Sequence, residues 1–447
     1  MTIHPRYLIG LLVWSVVGPN SPLHAQDRLS LPQAVATVLA ASPEIIAARA
    51  TMQEAEQRVP QARAGLLPRL DFTQSWQRGN HPVFVFGSLL AQRQFTEADF
   101  ALRQLNHPEP LTNARSALSL EHVLFDGGRT RAALRSASLA AVSARSGERQ
   151  TRNDLAVATT RAFGKVLRAA VERRAAESAV AAADEDARTA AARRDAGTGT
   201  EADVLAMRVH LAQMQARSID AVSAQRIARA DLNRLMNVPL DREWSLEEPA
   251  TLETAPPDVG VLVGEAMRLR PEIEQAAFRR DLSRVLKQSA QSAFWPNVTV
   301  QGGYEWNDGR RSAPAGAWIA GASLRVNLFS GGANIARVRE ASYALARADA
   351  EQQRVEAAVR LEVLTAMEQL NSARARREVG RAAVMQARES QRMIRDRYEA
   401  GIASANDVIR AATAVLEAEA QLVGAVDDVI VGEASLRRAA GGEEVHP

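Results

Sequence analysis

The chain has 447 residues, a formal net charge of +3, 46% hydrophobic and 4% aromatic residues, and no cysteine. Without cysteine it has no disulfides, thiolate metal sites or cysteine nucleophiles, and its nearly balanced charge gives little reason to expect a nucleic-acid partner. Its abundant alanine, together with glutamate, arginine and leucine, is typical of long, closely packed helices.

The first predicted element is a secretory signal peptide over residues 1–25. His4 and Arg6 precede an apolar run, Leu8–Val17, and small residues lead to a cleavage site near Ala25. The run is much shorter than the roughly 20 residues that a membrane-spanning helix needs. We therefore expect an exported mature chain without a transmembrane helix.

The sequence after this leader repeats itself. Pro43-Glu44-Ile45 returns as Pro271-Glu272-Ile273 at an offset of 228 residues, whereas Leu124-Phe125 returns as Leu328-Phe329 at an offset of 204. A tandem duplication predicts one structural unit built twice. The change of offset places a length difference of 24 residues between positions 70 and 124, where we expect a loop. The predicted divisions are a first repeat at 26–236, a linker at 237–262, a second repeat at 263–440 and a short tail at 441–447.

Each repeat contains two predicted strands with alternating apolar and polar residues. They lie near residues 70–76, 118–124, 298–306 and 318–328. Transmembrane barrel strands alternate in this way, and so does a half-buried sheet in a soluble domain. Tryptophan and tyrosine at the strand ends of an exported chain favour the membrane interpretation. Because four strands cannot close a barrel and open edges are not tolerated in lipid, several copies would have to contribute.

The connection between the first two strands, about residues 77–115, is predicted to be a long extracellular loop. Its aromatic residues favour a packed cap over the channel mouth. His81, Asp99 and His107 lie in it without a recurring ligand spacing, so no metal site is predicted. In both repeats a glycine pair closes the second strand and is predicted to form a strand-end turn. These pairs are Gly127-Gly128 and Gly331-Gly332.

Two long helices are predicted after the glycine pairs, at residues 129–196 and 333–400. Each stretch contains no proline, and a helix of this length would reach roughly 100 Å. Apolar residues recur at spacings of three and four, as in a coiled-coil seam, so each helix must pack on neighbours. Shorter helical segments are predicted at 30–66, 201–236, 265–294 and 404–439.

Each long helix is followed by a predicted tight turn, at Gly197 and at Gly401. The polar residues after each turn include Thr200 with Asp203, and Ser404 with Asp407. This spacing predicts a capping interaction at the start of each returning helix. The turns therefore mark two helical hairpins whose tips lie at the same end of the molecule.

The paired Pro-Glu-Ile starts, Leu-Phe-x-Gly-Gly strand ends and glycine turns, in this order, resemble the TolC-type outer-membrane efflux factors over about residues 30–440. The resemblance implies a mainly α fold with a membrane β-barrel portion. In such a homotrimer, a twelve-stranded β-barrel in outer-membrane lipid continues into a long α-helical coiled-coil barrel across the periplasm. Residues 237–257 and the C-terminal residues would lie in an equatorial zone. A periplasmic adaptor protein and an inner-membrane pump are the implied partners.

The resemblance also assigns roles to the tips. The implied adaptor-docking residues are Gly197, Thr198, Thr200, Gly401, Ile402 and Ser404. The implied periplasmic gate residues are Asp203, Tyr398, Asp407 and Arg410. Arg410 departs from the family pattern, since a second carboxylate is usual there, and Ala202 and Ala403 replace polar or basic residues. Arg410 lies three residues after Asp407, close enough to pair with it, and we expect a less cation-selective constriction than an all-acidic ring provides.

No sequence motif of an enzyme is present: there is no nucleophile elbow, phosphate loop, zinc-protease helix or dinucleotide fingerprint. We therefore expect neither catalysis nor a cofactor. The predicted function is a passive, gated outer-membrane conduit for small molecules or metal ions. Two alternatives remain. One is the outer-membrane component of a type I protein secretion system, and the other is a periplasmic coiled-coil scaffold or adaptor without a pore.

Overall fold

The computed structural model describes residues 28–249, 257–308 and 315–442. The predicted signal peptide and residues 443–447 of the predicted tail lie outside these ranges. The described helices are α1 (Leu31–Ala41), α2 (Pro43–Ala64), α3 (Pro82–Ala91), α4 (Leu102–Asn106), α5 (Arg129–Asp195), α6 (Glu201–Leu235), α7 (Val259–Leu269), α8 (Pro271–Gln291), α9 (Ala333–Glu399) and α10 (Ala405–Ala440). The described strands are β1 (Arg28–Leu29), β2 (Arg69–Gly79), β3 (Leu111–Phe125), β4 (Ser245–Leu246), β5 (Asn297–Asp308) and β6 (Ala315–Arg325).

The two long helices, α5 and α9, have 67 residues each, and at 1.5 Å per residue each reaches roughly 100 Å. They agree with the predicted stretches to within one residue. Helix α5 returns through α6 and α9 returns through α10, so each repeat contains one long hairpin. The hairpins also contact each other, through α5 and α10. Among the described residues, no single helix is both long and apolar enough to cross a membrane, although the bent pair α1–α2 meets that test by length and composition.

Two predicted helices are each divided by a proline. The predicted helix at 30–66 consists of α1 and α2. The predicted helix at 265–294 contains the end of α7, which stops before Pro271, and the whole of α8. Pro43 and Pro271 are the first residues of α2 and α8. Proline is favoured there because the first helical N–H has no intrahelical acceptor. Helix α7 begins at Val259, inside the predicted linker at 237–262.

The four long strands form one antiparallel sheet in the order β2-β3-β5-β6. Leu118 in β3 pairs with Phe72 on one side and with Tyr304 on the other, and Tyr304 pairs with Trp318. All four are on one face, as the alternation predicts. Strand β6 ends at Arg325, three residues before the predicted end at position 328.

The connection between β2 and β3 is shorter than the predicted loop at 77–115, because both strands extend into that range. It comprises residues 80–110, which we call the cap. The cap contains α3, α4 and a turn of 3₁₀ helix at Glu97–Phe100. Three of its phenylalanines stack edge to face, with Phe95 at 4.9 Å from Phe86 and 5.1 Å from Phe100 between ring centroids. The cap is therefore a packed helical segment.

The strand-end turns contain the two glycine pairs in left-handed conformations. The φ angles are 68° and 89° at Gly127 and Gly128, and 62° and 85° at Gly331 and Gly332. A β-carbon on Gly127 would lie 2.8 Å from the carbonyl oxygen of Ser292. Only glycine meets both demands without strain. Gly127 follows β3 almost at once, whereas residues 326–330 separate β6 from Gly331, and both pairs lead directly into the long helices α5 and α9.

The hydrophobic core consists of separate clusters along the helices. One cluster, around Phe163 and Leu232, joins α1, α5 and α6, and a second, around Val363 and Leu370, joins α7, α9 and α10. The linker is attached to the start of the described chain, because β4 pairs in parallel with β1. These two clusters hold the ends of α6 and α10 against the long helices, far from the turns at Gly197 and Gly401. A third cluster, which includes Tyr398, lies at those turns.

Candidate channel wall and helical tips

One face of the four-stranded sheet is apolar and exposed in the single chain. Trp318, Trp76, Leu324 and Phe72 are 77%, 73%, 69% and 64% exposed, respectively. Large contiguous apolar surfaces on a soluble protein are rare and mark contact with another apolar phase or protein. Because these residues alternate with polar ones along each strand, the face matches a lipid-contacting barrel surface.

The opposite face of the sheet is mainly polar, with Ile319 as an exposed apolar exception. Arg115 in β3 donates to Glu305 in β5, with 2.7 Å between Nε and Oε2. Ser119 and Glu121, further along β3, lie on the same face and are exposed. The sheet therefore separates an apolar side from a hydrated side, as a pore wall does.

The edges of the sheet are open. In the described part of the chain, β2 and β6 each have a single strand neighbour. Each edge therefore presents a row of unpaired backbone N–H and C=O groups. In hydrocarbon such groups cost several kcal/mol each, so a membrane sheet of this kind requires further strands from other copies.

The hairpin tips begin with the same turn in both repeats. Gly197 and Gly401 have φ angles of 77° and 78°. The N–H groups of Gly197 and Thr198 donate to carbonyls in the last turn of α5, both at 2.9 Å. Those of Gly401 and Ile402 do the same at the end of α9, at 2.9 and 2.8 Å. This double hydrogen bond is the Schellman motif, whose left-handed position favours glycine.

Each returning helix then begins with a capping box. The Thr200 hydroxyl accepts from the backbone N–H of Asp203 at 3.1 Å, and Asp203 Oδ2 accepts from the Thr200 hydroxyl at 2.7 Å. Ser404 and Asp407 repeat the arrangement, with 2.8 Å between Ser404 Oγ and Asp407 Oδ2. The backbone N–H and hydroxyl of Ser404 hold the pKa of Asp407 below its usual range. Both predicted gate carboxylates thus serve as helix caps in the single chain.

Tyr398, the predicted aromatic gate residue, lies between the two hairpins. Its side chain is 8% exposed and belongs to a cluster with Ala190 in α5, Met207 in α6 and Val408 in α10. Burial raises the pKa of the Tyr398 hydroxyl, and the negative charge of Asp203 raises it further. The tyrosine therefore packs the tips together as a neutral side chain.

Arg193, which the sequence analysis did not identify, connects the tips more directly. It lies in the last turn of α5, and its Nη1 donates to the carbonyl oxygen of Tyr398 and, at 3.0 Å, to that of Glu399. Its guanidinium also stacks over the Tyr398 ring, 4.8 Å from the centroid. A basic residue near the unpaired carbonyls of a helix end is a recognised stabiliser, but the acceptors here belong to a helix about 200 residues away.

An ion pair also joins the hairpins nearby. Arg395 in α9 donates to Asp186 in α5, with 2.8 Å between Nη2 and Oδ2. Arg193 and Arg395 thus connect the same two long helices in opposite directions. The last turns of α5 and α9 are held together by polar contacts as well as by the buried cluster around Tyr398.

The predicted direct pair between Arg410 and Asp407 is absent among the contacts of the described residues. The Asp407 carboxylate is instead oriented towards Ser404 by the capping box. Arg410 acts only at longer range, where its charge contributes to the lowered pKa of Asp407. The spacing of three residues alone therefore does not produce the pair, because the Asp407 carboxylate is already engaged in capping the start of α10.

The predicted loop residues do not assemble a metal site in the described ranges, where no group of three or more His, Asp or Glu side chains is placed to hold an ion. Asp99 is used structurally. Its Oδ2 accepts from the Thr96 hydroxyl at 2.8 Å, at the start of the 3₁₀ turn Glu97–Phe100.

Comparison with known proteins agrees with this arrangement. The family model described as "Outer membrane efflux protein" matches residues 34–238 and 262–442. The outer membrane efflux protein BepC of Brucella suis biovar 1 (strain 1330) is 24% identical over 343 residues, covering 74% of this chain and 72% of BepC.

Solved structures share the fold at low identity. The CmeC outer membrane channel of Campylobacter jejuni has a TM-score of 0.80 at 17% identity and covers 98% of this chain and 94% of its own. The outer membrane protein VceC of Vibrio cholerae has a TM-score of 0.77 at 20% identity, covering 92% and 96%. The family match extends over both repeats and includes the sheet, the long helices and the tips. The chain therefore belongs to the outer membrane efflux protein family, as an outer-membrane channel component and not an enzyme.

Proposed function

We propose that three copies of this chain assemble into a closed channel. Their sheets would form a twelve-stranded barrel in the outer membrane, and their hairpins a helical tunnel in the periplasm. The observation that carries the proposal is the exposed apolar face formed by Trp76, Trp318 and their neighbours, on a chain that also contains two 67-residue helices. A periplasmic scaffold without a pore would have no use for an apolar sheet face with two free edges.

The channel would act as the passive outer part of a tripartite efflux system. Because the chain belongs to the outer membrane efflux protein family, we expect the energy for transport to come from an inner-membrane pump. The hairpin tips would dock a periplasmic adaptor, because they are the only chain reversals at the far ends of α5 and α9 among the described residues. Their Schellman turns and capping boxes give both tips one rigid, repeated shape on which a partner can bind.

The contacts between the tips would hold the periplasmic end closed until the adaptor binds. Within one copy, Arg193 and Tyr398 fasten the first hairpin to the second. Opening the tunnel by moving one hairpin outward would separate these groups. Asp203 and Asp407 place two partly exposed acidic side chains at this end, while the exposed Arg410 adds a basic one. We therefore keep the expectation of weak cation selectivity at the constriction.

The proposal is tested by reconstitution. The detergent-extracted protein should cross-link into trimers and insert into planar lipid bilayers with discrete conductance steps. Adaptor docking is tested separately with Gly401→Val, which places a β-branched residue at a φ of 78°, and with Ile402→Ala, which removes an exposed side chain but keeps the turn. Both should weaken capture of the adaptor and leave the barrel intact. A water-soluble monomer that gives no conductance would refute the channel, and unchanged adaptor capture by both variants would refute docking at the tips.

A further inference from the structure

The cap at residues 80–110 lies on a particular face of the sheet. Gln92, at the end of α3, is 1% exposed. Its Nε2 donates to the carbonyl oxygen of Thr112 at 2.9 Å and to Oδ1 of Asn113 at 3.0 Å. Because the Asn113 side chain points to the same side as Arg115 and Glu305, the cap contacts the polar face and leaves the apolar face uncovered.

The contact continues across the sheet as a chain of amides. Asn113 Nδ2 donates to Asn307 Oδ1 at 2.9 Å, and Asn307 Nδ2 donates to Glu305 Oε1 at 3.1 Å. Asn113 and Asn307 are 8% and 1% exposed, so this polar chain is shielded from solvent by the cap itself. We call Gln92, Asn113 and Asn307 the latch. Buried amides of this kind fix one arrangement strongly, because each unpaired group costs free energy.

Arg93 fastens the cap to a further strand. It adopts a φ of 54°, which is unfavourable for a residue other than glycine, and ends α3 with the double hydrogen bond of a Schellman motif. From this position its Nη2 donates to the carbonyl oxygen of Gly316 in β6 at 2.9 Å. The cap is thus attached to β3 through Gln92, to β5 through Asn113 of β3, and to β6 through Arg93, across the same end of the sheet.

We propose that the cap is an inward-folded constriction at the outer end of the channel, held by the latch. This inference depends on the proposed function, because the polar face is the pore side only if the sheet closes with its apolar face towards lipid. Three caps would then project into the lumen from the wall and narrow the exit that cargo must pass. Gln92 Oε1 is buried without a protein partner in the described part of the chain. The latch therefore falls short of full hydrogen bonding, which favours its release over that of a fully satisfied network.

The absence of cysteine allows a direct test with a single introduced thiol. Ser119 is exposed on the polar face of β3, six residues and about 20 Å beyond Asn113 along the strand. In intact cells expressing full-length Ser119→Cys, a small maleimide added from outside should label the thiol. A maleimide carried on a long polyethylene glycol chain should label it slowly, because the reagent must pass the caps.

Breaking the latch should admit the long reagent. In the Ser119→Cys background, Gln92→Leu removes two donated hydrogen bonds and should raise the rate of labelling by the long reagent about tenfold. Asn307→Leu breaks the latch from the wall side and should have the same effect, so the test does not depend on one variant folding. Glu97→Gln, at an exposed position of the cap, is the matched control and should leave the rate unchanged.

The outcomes separate the two proposals. Rapid labelling of the parent by the long reagent, or equal rates in the parent and both latch variants, would overturn the constriction while leaving the channel intact. If even the small maleimide fails to label Ser119→Cys in protein that has reached the outer membrane, the polar face does not line a pore. That result would overturn the channel and the cap proposal together.

Discussion

A β-carbon cannot be added to Gly164 without displacing a neighbouring carboxylate. Gly164 lies in α5, and a methyl group at this position would lie 2.0 Å from Oδ1 and 3.2 Å from Cγ of Asp427 in α10. Rotating the carboxylate relieves the first contact but leaves the second tight. We therefore expect Gly164→Ala to force α5 and α10 apart or to move Asp427 from its half-buried position.

The magnitude follows from comparison with a second glycine of the same helix. A β-carbon on Gly147 would meet only the side-chain nitrogen of Gln275, at 4.0 Å. Gly147→Ala should therefore stabilise the protein by up to about 1 kcal/mol through helix propensity. Gly164→Ala has the same propensity gain but adds overpacking, so it should be less stable than Gly147→Ala by about 1–2 kcal/mol.

The assay is thermal unfolding of the detergent-solubilised protein, followed by the loss of helical circular dichroism. Asp427→Ala should abolish the difference between the two glycine variants, because it removes the atoms that collide. Equal midpoints for Gly164→Ala and Gly147→Ala in the parent would contradict the steric argument. So would an undiminished difference in the Asp427→Ala background.

Three further predictions concern charge, lipid contact and the tips. Burial raises the pKa of Asp427, so the ionised carboxylate destabilises the folded state at a pH above that pKa. Asp427→Asn should therefore raise the unfolding midpoint at neutral pH, and this gain should disappear as the pH falls towards the ordinary aspartate pKa of 3.8. A gain that persists in acid would exclude this cause. Leu118→Arg, on the apolar face, should destabilise the sheet in the membrane by about 2–4 kcal/mol and reduce the amount of assembled protein. The control Ala117→Arg, on the polar face, should assemble normally. Equal yields of assembled protein from the two variants would be incompatible with the assigned faces. Arg193→Gln should weaken the contact between the tips by about 1–2 kcal/mol and increase bilayer conductance. The control Arg194→Gln removes only ion pairs within its own hairpin and should not increase conductance. Identical conductance of the two variants would show that Arg193 does not hold the tunnel closed.

Features with local causes were predictable from the sequence. The turn glycines at positions 197 and 401, the capping boxes after them and the alternation of the strands all depend on residues within a few positions of one another. The divided helices were also within reach, because proline at Pro43 and Pro271 favours a helix start. The prediction failed there because the apolar pattern continues on both sides of each proline and conceals the break.

Features that depend on distant partners were not predictable. Arg193 is one of many arginines in α5, and only the fold brings it to the end of α9. The side of the sheet on which the cap lies was equally hidden, since Gln92 finds its acceptors on the neighbouring strand and, through them, on a strand 190 or more residues away. In both cases the hydrogen bonds themselves are ordinary, but they form only because the fold brings elements together that are far apart in the sequence.

The equal lengths of α5 and α9 place a constraint on how this molecule can change. A heptad inserted into α5 and α6 alone would carry one tip about 10 Å beyond the other, out of reach of the carbonyls that Arg193 binds. An insertion or deletion in the hairpin of one repeat must therefore be matched in the other to keep the two periplasmic tips at the same height. Lineages that adapt this protein to envelopes of different depth should show paired insertions and deletions, matched in size across the duplication.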